Sequence, residues 1–146
     1  MRRPNSAPWL VVHALYADCR CSQRIVEHLL KRRALHDAAE HVLLVGVQPE
    51  LEKSLNRAGF QTQVITPLEL KSRFGAVAAP LLIVAGPDDR LRYVGGYTTH
   101  KQGPDIRDLD IIRGLMQDQP RAELPLFGCA VSRSLQRLLD PFSLKY

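Results

Sequence analysis

Cysteine is scarce in this sequence. The chain of 146 residues has three cysteines, two of them close together near the start and one near the end. Three cysteines at such uneven spacing are too few for the disulfide framework that holds small secreted domains together. They are better interpreted as reactive, metal-binding or core residues.

Long apolar runs are also absent. The first apolar run, residues 9–16, is too short to cross a membrane, so we expect no membrane span. The basic start Met1-Arg2-Arg3 is similar to the first part of a signal peptide, but Pro4 follows it and no small-residue cleavage site comes later. We therefore expect a cytoplasmic protein. The alternative is a periplasmic domain whose N-terminal anchor lies outside this sequence.

Aromatic residues make up 6% of the chain, and they are not interleaved with its basic residues. Lysine and arginine number 20 against 15 acidic residues, but the arginines are dispersed over several segments. This pattern indicates solubility rather than a nucleic-acid surface, so no nucleic-acid partner is expected. With 45% hydrophobic and 24% charged residues, the chain has enough apolar material for the core of one globular domain.

Strand and helix patterns alternate along the chain. Apolar runs and helical spacing predict strands at 9–16, 41–47 and 61–66, helices at 22–34, 49–60 and 67–74, a hairpin from 80–86 and 90–97, and a further helix around 106–115. Such alternation predicts an α/β fold with a mainly parallel central sheet, helices on both faces and the antiparallel hairpin at one side. After residue 118 the pattern loosens, so we expect residues 119–146 to be an extension that is packed on the domain.

The stretch ADCRCSQR, residues 17–24, holds two cysteines separated by Arg20, at the turn between the first strand and the first helix. Two thiols at a polar turn favour chemistry over simple packing. A disulfide between Cys19 and Cys21 would close a small, strained ring that is easily reduced.

The start of a helix favours a thiolate, because unpaired backbone N–H groups and the helix dipole place positive charge there. Arg20 and Arg24 add positive charge to the turn, whereas Asp18 opposes them. A thiolate is both a nucleophile and a ligand for soft metals such as Cu(I). The turn therefore supports two hypotheses, a thiol–disulfide oxidoreductase and a Cu(I)-binding or delivery module.

Cys129 follows Gly128 in the extension and precedes a short helical pattern that Ser132 could cap. It is either a second helix-start thiol or a packed apolar residue. If the extension folds back over the cysteine turn, Cys129 could resolve a disulfide with Cys19 or Cys21, or supply a third sulfur to a metal.

Other polar residues show no catalytic pattern. His13 lies inside the first strand and is expected to be a hydrogen-bonded core histidine, and the histidines have no zinc spacing. Gly95-Gly96 is interpreted as a strand-end bulge or a close backbone approach, because no phosphate-binding helix start follows it.

The order of these elements, together with the segment FGAVAAPLLIVAGPDDRLRYVGGY, resembles the thioredoxin-like thiol–disulfide oxidoreductases, particularly the TlpA-like branch. The resemblance implies a thioredoxin-like domain over residues 1–118, with an insert at 49–66. It also implies a cis bond between Ala79 and Pro80, with Pro80 facing the cysteine turn and a partner segment bound beside both residues.

Members of that family usually carry Trp-Cys-x-x-Cys, whereas this chain has Asp18 followed by Cys-Arg-Cys-Ser. In one register Cys19 attacks and Ser22 occupies the resolving position; in the other, Cys21 resolves and Asp18 replaces the nucleophile. The first register places the apolar side chains of the next helix inward, so we favour it.

The sequence thus predicts a thiol–disulfide oxidoreductase that acts on protein or small-molecule disulfides and needs no cofactor. Its expected catalytic residues are Cys19, Cys21 and Cys129, its substrate-binding residues Ala79 and Pro80, and its pKa-tuning residues Arg20, Ser22 and Arg24. A protein thiol or disulfide is the expected partner. The alternatives are the Cu(I) module and a thioredoxin-like binding domain without chemistry.

Overall fold

The computed structural model describes residues 9–76, 78–99 and 105–127, and the backbone of 129–130. These residues form four helices and seven strands. In chain order they are β1 (Trp9–Tyr16), α1 (Arg20–Arg32), β2 (Ala38–Val45), α2 (Pro49–Arg57), β3 (Gln61–Ile65), α3 (Pro67–Phe74), β4 (Ala78–Ala79), β5 (Leu81–Ala85), β6 (Leu91–Gly95), α4 (Asp108–Met116) and β7 (Cys129–Ala130).

Five strands form the central sheet in the order β3-β2-β1-β5-β6. The pairs β1–β2 and β2–β3 are parallel, whereas β1–β5 and β5–β6 are antiparallel. The predicted hairpin is confirmed at one edge of the sheet, but the prediction of a mainly parallel sheet is wrong. A strand buried on both faces has the same apolar sequence in either orientation, so no local pattern indicates that β5 runs antiparallel to β1.

The observed bounds of α3 match the predicted 67–74, because its sequence carries a signal at each end. The side chain of Thr66 accepts a hydrogen bond from the Glu69 N–H, and Glu69 bonds back to the Thr66 N–H, which completes a capping box. Gly75 ends the helix in the left-handed conformation, with φ of 68°. Where the sequence has no such signals, the observed boundaries differ from the predicted ones. Helix α1 begins at Arg20 rather than at residue 22, and β2 begins at Ala38 rather than at residue 41.

The side chains of β1 alternate between two cores, one on each face of the sheet. Val11 and Leu15 pack in the core that also holds Leu29 of α1 and residues of α2 and α4. Val12 packs in the second core, which includes Leu70 of α3. Helices therefore cover both faces of the sheet, as predicted, in a mixed α/β arrangement.

Among the described residues, every helix is too short or too polar to cross a membrane.

Candidate functional site

The cysteine turn connects the end of β1 to the start of α1. Cys19 is the N-cap of α1; its N–H donates to the Tyr16 carbonyl at 3.0 Å, and its own carbonyl accepts the Gln23 N–H at 2.9 Å. Ser22 is buried, and its Oγ accepts the Tyr16 N–H at 3.0 Å. The Ser22 hydroxyl therefore ties the first turn of the helix back to the strand, which fixes the position of Cys19.

The two cysteines of the turn are in different chemical states. Cys19 is disulfide-bonded and 1% exposed, whereas Cys21 is a free thiol and half-buried. A disulfide between these two residues is therefore not what the structure contains. The backbone of Cys129 is described in β7, but its side chain lies outside the described part of the chain.

Ala79 and Pro80 lie beside the cysteine turn. The peptide bond between them is cis, and the Cys19 Sγ lies 3.8 Å from the Ala79 carbonyl oxygen. Because a disulfide sulfur carries no proton, this approach is a contact and not a hydrogen bond. Three residues that the sequence singled out are thus close together in space.

A small pocket opens between the start of α1, Pro80 and the loop that follows β6. Its lining includes Cys21, Arg24, Pro80, Tyr97, Ile106 and Phe127. Arg24 is therefore placed near the free thiol, whereas Arg20 is exposed and does not line the pocket. The pocket brings one predicted thiol, one predicted arginine and the predicted proline to a single surface.

The extension also reaches this site through its backbone. β7 pairs antiparallel with β4, and Cys129 stands opposite Ala79 in that pairing. The fold therefore brings both cysteine-bearing segments, the turn and the extension, near the Ala79–Pro80 step.

A buried polar network lies next to the pocket, and most of it was not anticipated from the sequence. His13 is fully buried; its Nε2 is 2.7 Å from Glu40 Oε2, and its Nδ1 is 2.6 Å from the Tyr97 hydroxyl. In the neutral ring, Nε2–H donates to the carboxylate and Nδ1 accepts from the hydroxyl. His13 is thus the hydrogen-bonded core histidine that was predicted, and Tyr97 joins it to the pocket.

Arg32 occupies the centre of the network. Its guanidinium donates two hydrogen bonds to Glu40, at 2.9 and 2.7 Å, and a third to Asp108 at 3.0 Å. The other Asp108 oxygen is 2.8 Å from His28 Nε2. The two buried carboxylates therefore share one guanidinium, and each also bonds to one imidazole.

These contacts set the protonation of the two acids. Burial raises the pKa of Glu40, but the hydrogen bonds from Arg32 and His13 outweigh it and bring the pKa down to about 2. Burial likewise raises the pKa of Asp108, but the hydrogen bond from His28 and the positive charge of Arg32 outweigh it and lower the pKa below its usual range. Burial raises the pKa of Tyr97 well above its ordinary value, so its hydroxyl stays a donor. Both acids are therefore charged at neutral pH.

The sequence held one sign of this network. His13 interrupts an apolar strand, and Glu40 interrupts the start of the next strand along the chain. Buried charges are paired in folded proteins, so these two residues needed partners. Arg32 reaches Asp108 only because α4 packs against α1. No local sequence pattern predicts that packing.

Within the described ranges, no group of three or more histidine, cysteine or acidic side chains is arranged to hold a metal ion. The predicted Cu(I) site that includes Cys129 extends beyond those side chains and stays a prediction.

No protein-family model matches this chain, and no curated protein is similar to it. Solved structures share its fold. A hypothetical protein from Sinorhizobium meliloti matches with a TM-score of 0.69 at 20% identity, over 86% of this chain and 80% of that protein. An uncharacterized conserved protein from Geobacillus kaustophilus matches with a TM-score of 0.60 at 15% identity, over 87% and 77%. At these identities the likeness shows the fold alone.

The thioredoxin domain of a thiol–disulfide oxidoreductase from Bacteroides vulgatus is a more distant neighbour. Its TM-score is 0.44 at 13% identity, over 59% of this chain and 68% of that domain. The case for an activity therefore depends on the geometry of the cysteine turn.

Proposed function

We propose that this protein is a thiol–disulfide oxidoreductase that acts on protein or small-molecule disulfides through its Cys-Arg-Cys-Ser turn. One observation carries the proposal: Cys19 is disulfide-bonded at the N-cap of α1, against the carbonyl of Ala79. A cysteine that forms disulfides at a helix start has the setting in which a thiolate is favoured once the bond is reduced.

Cys19 is the proposed attacking thiol. The helix has no acidic residue in its first turn to offset the positive end of its dipole. Arg24, at the pocket, and Arg20, on the turn, add positive charge, and these are their proposed pKa-tuning roles. Ser22 would act indirectly, by holding the turn through its bond to the Tyr16 N–H.

The proposed partner is an extended segment that carries a thiol or disulfide. The edge of β4 supports this, because the Ala79 carbonyl faces the Cys19 sulfur and a strand can pair with the backbone there. Pro80 would bound the binding surface together with Cys21. Cys21 or Cys129 would then resolve the mixed disulfide, since its release needs a second thiol.

We also propose that the catalytic unit is a thioredoxin-like domain over 1–118, with the insert at 49–66, and that 119–146 is an extension packed on it. A hydrogen bond between the two parts supports the packing: the Gly96 N–H donates to the Leu124 carbonyl at 2.8 Å. The cytoplasm stays the predicted compartment, with the periplasm as the alternative.

The test is disulfide reduction by the full chain in metal-free buffer with a strong chelator present. We expect the wild type to turn over an insulin-type substrate with a dithiol reductant, and Cys19→Ser to abolish turnover. Ser72→Ala changes an exposed residue of α3 and serves as the control that keeps activity. Wild-type protein without turnover, or Cys19→Ser with full turnover, would contradict the proposal. If turnover is seen in a parallel assay without the chelator and is lost when the chelator is present, the result would favour the Cu(I) module instead.

A further inference from the structure

The extension approaches the cysteine turn along a defined path. Before β7, the Gly96 N–H donates to the Leu124 carbonyl at 2.8 Å, and the Leu124 N–H donates to the Tyr93 hydroxyl at 3.0 Å. A Cβ atom on Gly96 would collide with the backbone of Pro125, so only glycine admits the chain this closely. The end of β6 therefore guides the extension toward β4.

At β4 the extension becomes a strand. Ala78 pairs with Ala130, and Ala79 pairs with Cys129. The Ala79 carbonyl is also the group that contacts the Cys19 sulfur. Cys19 and the backbone of Cys129 therefore both lie next to Ala79.

The chemical states of the cysteines leave one partner for Cys19. The chain has three cysteines, Cys19 is disulfide-bonded, and Cys21 is a free thiol. We propose that Cys19 is bonded to Cys129, and that Cys129 is the resolving residue of the reaction proposed above, on which this second part rests. β7 then occupies the backbone edge that a substrate segment would use.

The electrons balance in two exchange steps. The Cys19 thiolate attacks a substrate disulfide, forms a mixed disulfide with one substrate sulfur and releases the other as a thiolate. The Cys129 thiolate then attacks the Cys19 sulfur, breaks the mixed disulfide and releases the second substrate thiolate. The substrate gains two electrons and the protein is left with a Cys19–Cys129 disulfide, which an external dithiol reduces to restore both thiols.

This arrangement makes the oxidised protein self-blocked. While β7 is paired with β4, the Ala79 edge has no room for a second strand, and Cys19 has no thiolate with which to attack. Reduction removes the covalent link, so that a substrate segment competes only with the backbone pairing of β7. In the proposed cycle, β7 separates from β4 when a substrate segment binds there, and it pairs with β4 again as Cys129 resolves the mixed disulfide.

The pairing is tested by tryptic mapping of the oxidised full chain after alkylation of free thiols. Trypsin cleaves after Arg20, which separates Cys19 from Cys21, and Cys129 lies on a third tryptic peptide, 122–133. We expect a disulfide that links the Cys19 peptide to 122–133, with Cys21 alkylated. A link between the Cys19 and Cys21 peptides, or an alkylated Cys129, would overturn the pairing.

The resolving role is tested by comparing Cys129→Ser with Cys21→Ser in the reductase assay. Cys129→Ser should lower turnover at least about tenfold and accumulate a mixed disulfide between Cys19 and substrate, with Cys21→Ser the milder change. The mixed disulfide accumulating in Cys21→Ser instead would overturn the resolving role. A mapped link in a protein without turnover would contradict the proposed function and leave the pairing intact.

Gly96→Ala moves the path of the extension without altering a cysteine. If β7 is guided to Cys19 along the Gly96 backbone, this variant should re-form the Cys19–Cys129 disulfide several-fold more slowly after reduction, as followed by alkylation of the remaining thiols. Gly75→Ala, which strains the end of α3 instead, controls for general destabilisation. Equal re-oxidation rates in the wild type and Gly96→Ala would contradict a guided path.

Discussion

The two ends of α1 are held in different ways. At its first turn, Cys19 is fixed by backbone hydrogen bonds and a disulfide, and no side chain caps the helix. At its last turn, Arg32 is fixed by three charge-assisted hydrogen bonds to two buried carboxylates. We therefore expect the first turn of α1 to respond to the redox state and the last turn to respond to pH.

This difference separates chemistry from stability along one helix. Charge-assisted bonds inside the core are strong but leave a buried charge if one partner is lost. A disulfide beside a free thiol can be exchanged without disturbing that core. A protein that makes and breaks a bond at one end of a helix needs the other end to stay in place.

The largest effect on stability is expected at the last turn of α1, where Arg32 binds the two carboxylates. Arg32→Ala leaves Glu40 and Asp108 buried without their shared cation, so the free energy of unfolding should fall by about 3–5 kcal/mol. Urea denaturation at neutral pH measures this change. Arg57→Ala, at the exposed end of α2, is the control and should stay within about 0.5 kcal/mol of the wild type. A loss below about 1 kcal/mol in Arg32→Ala would show that the network does not hold α1.

Low pH should weaken the same ion pairs at the last turn of α1. The pKa of Glu40 is about 2 in the folded protein, below its value in the unfolded chain. The stabilisation, roughly 3 kcal/mol, is therefore present above about pH 4.5 and is lost as the pH falls toward 2. The depressed pKa of Asp108 adds a loss of the same sign.

Urea midpoints between pH 7 and pH 2 measure this dependence. Glu40→Gln cannot titrate, so its stability should change less over that range than the wild type. Glu50→Gln, at an exposed position of α2, should follow the wild-type curve. Parallel curves for Glu40→Gln and the wild type would show that Glu40 is not the titrating group.

Reduction of the disulfide at Cys19, before the first turn of α1, should also lower the stability of the protein. A disulfide that joins Cys19 to Cys129 closes most of the chain into a loop, and the loss of such a crosslink costs about 2–4 kcal/mol. Thermal unfolding with and without a dithiol reductant measures the difference. Cys19→Ser lacks the bond and should not respond to the reductant. A wild type whose unfolding temperature is independent of the reductant would contradict the crosslink.

Local patterns predicted what local forces determine. The helix at 67–74 and the hairpin were predicted correctly, because the residues that determine them are neighbours in sequence. The two cysteines of the turn were identified for the same reason.

Features that join distant segments could not be predicted from local sequence patterns. The antiparallel β1–β5 pair and the contact of Arg32 with Asp108 depend on packing between segments far apart in the chain. For Cys129 the sequence left several roles open, since only the backbone pairing with Ala79 places it beside the turn.

The smallest expected effect concerns the hydroxyl that holds the extension. The Tyr93 hydroxyl donates to the Gly96 carbonyl at 2.7 Å and accepts the Leu124 N–H at 3.0 Å. Tyr93→Phe removes both bonds and leaves a half-buried N–H unpaired, which should lower the free energy of unfolding by about 1–2 kcal/mol. Because the loss falls on the extension, amide exchange at Leu124 should accelerate through local opening, whereas β1 amides that open while the extension stays docked should exchange as in the wild type. Tyr16→Phe is the matched control and should leave exchange at Leu124 as in the wild type. If Tyr93→Phe accelerates exchange equally in β1 and at Leu124, the hydroxyl stabilises the whole domain, and the extension is not a separately held segment at the redox end of the molecule.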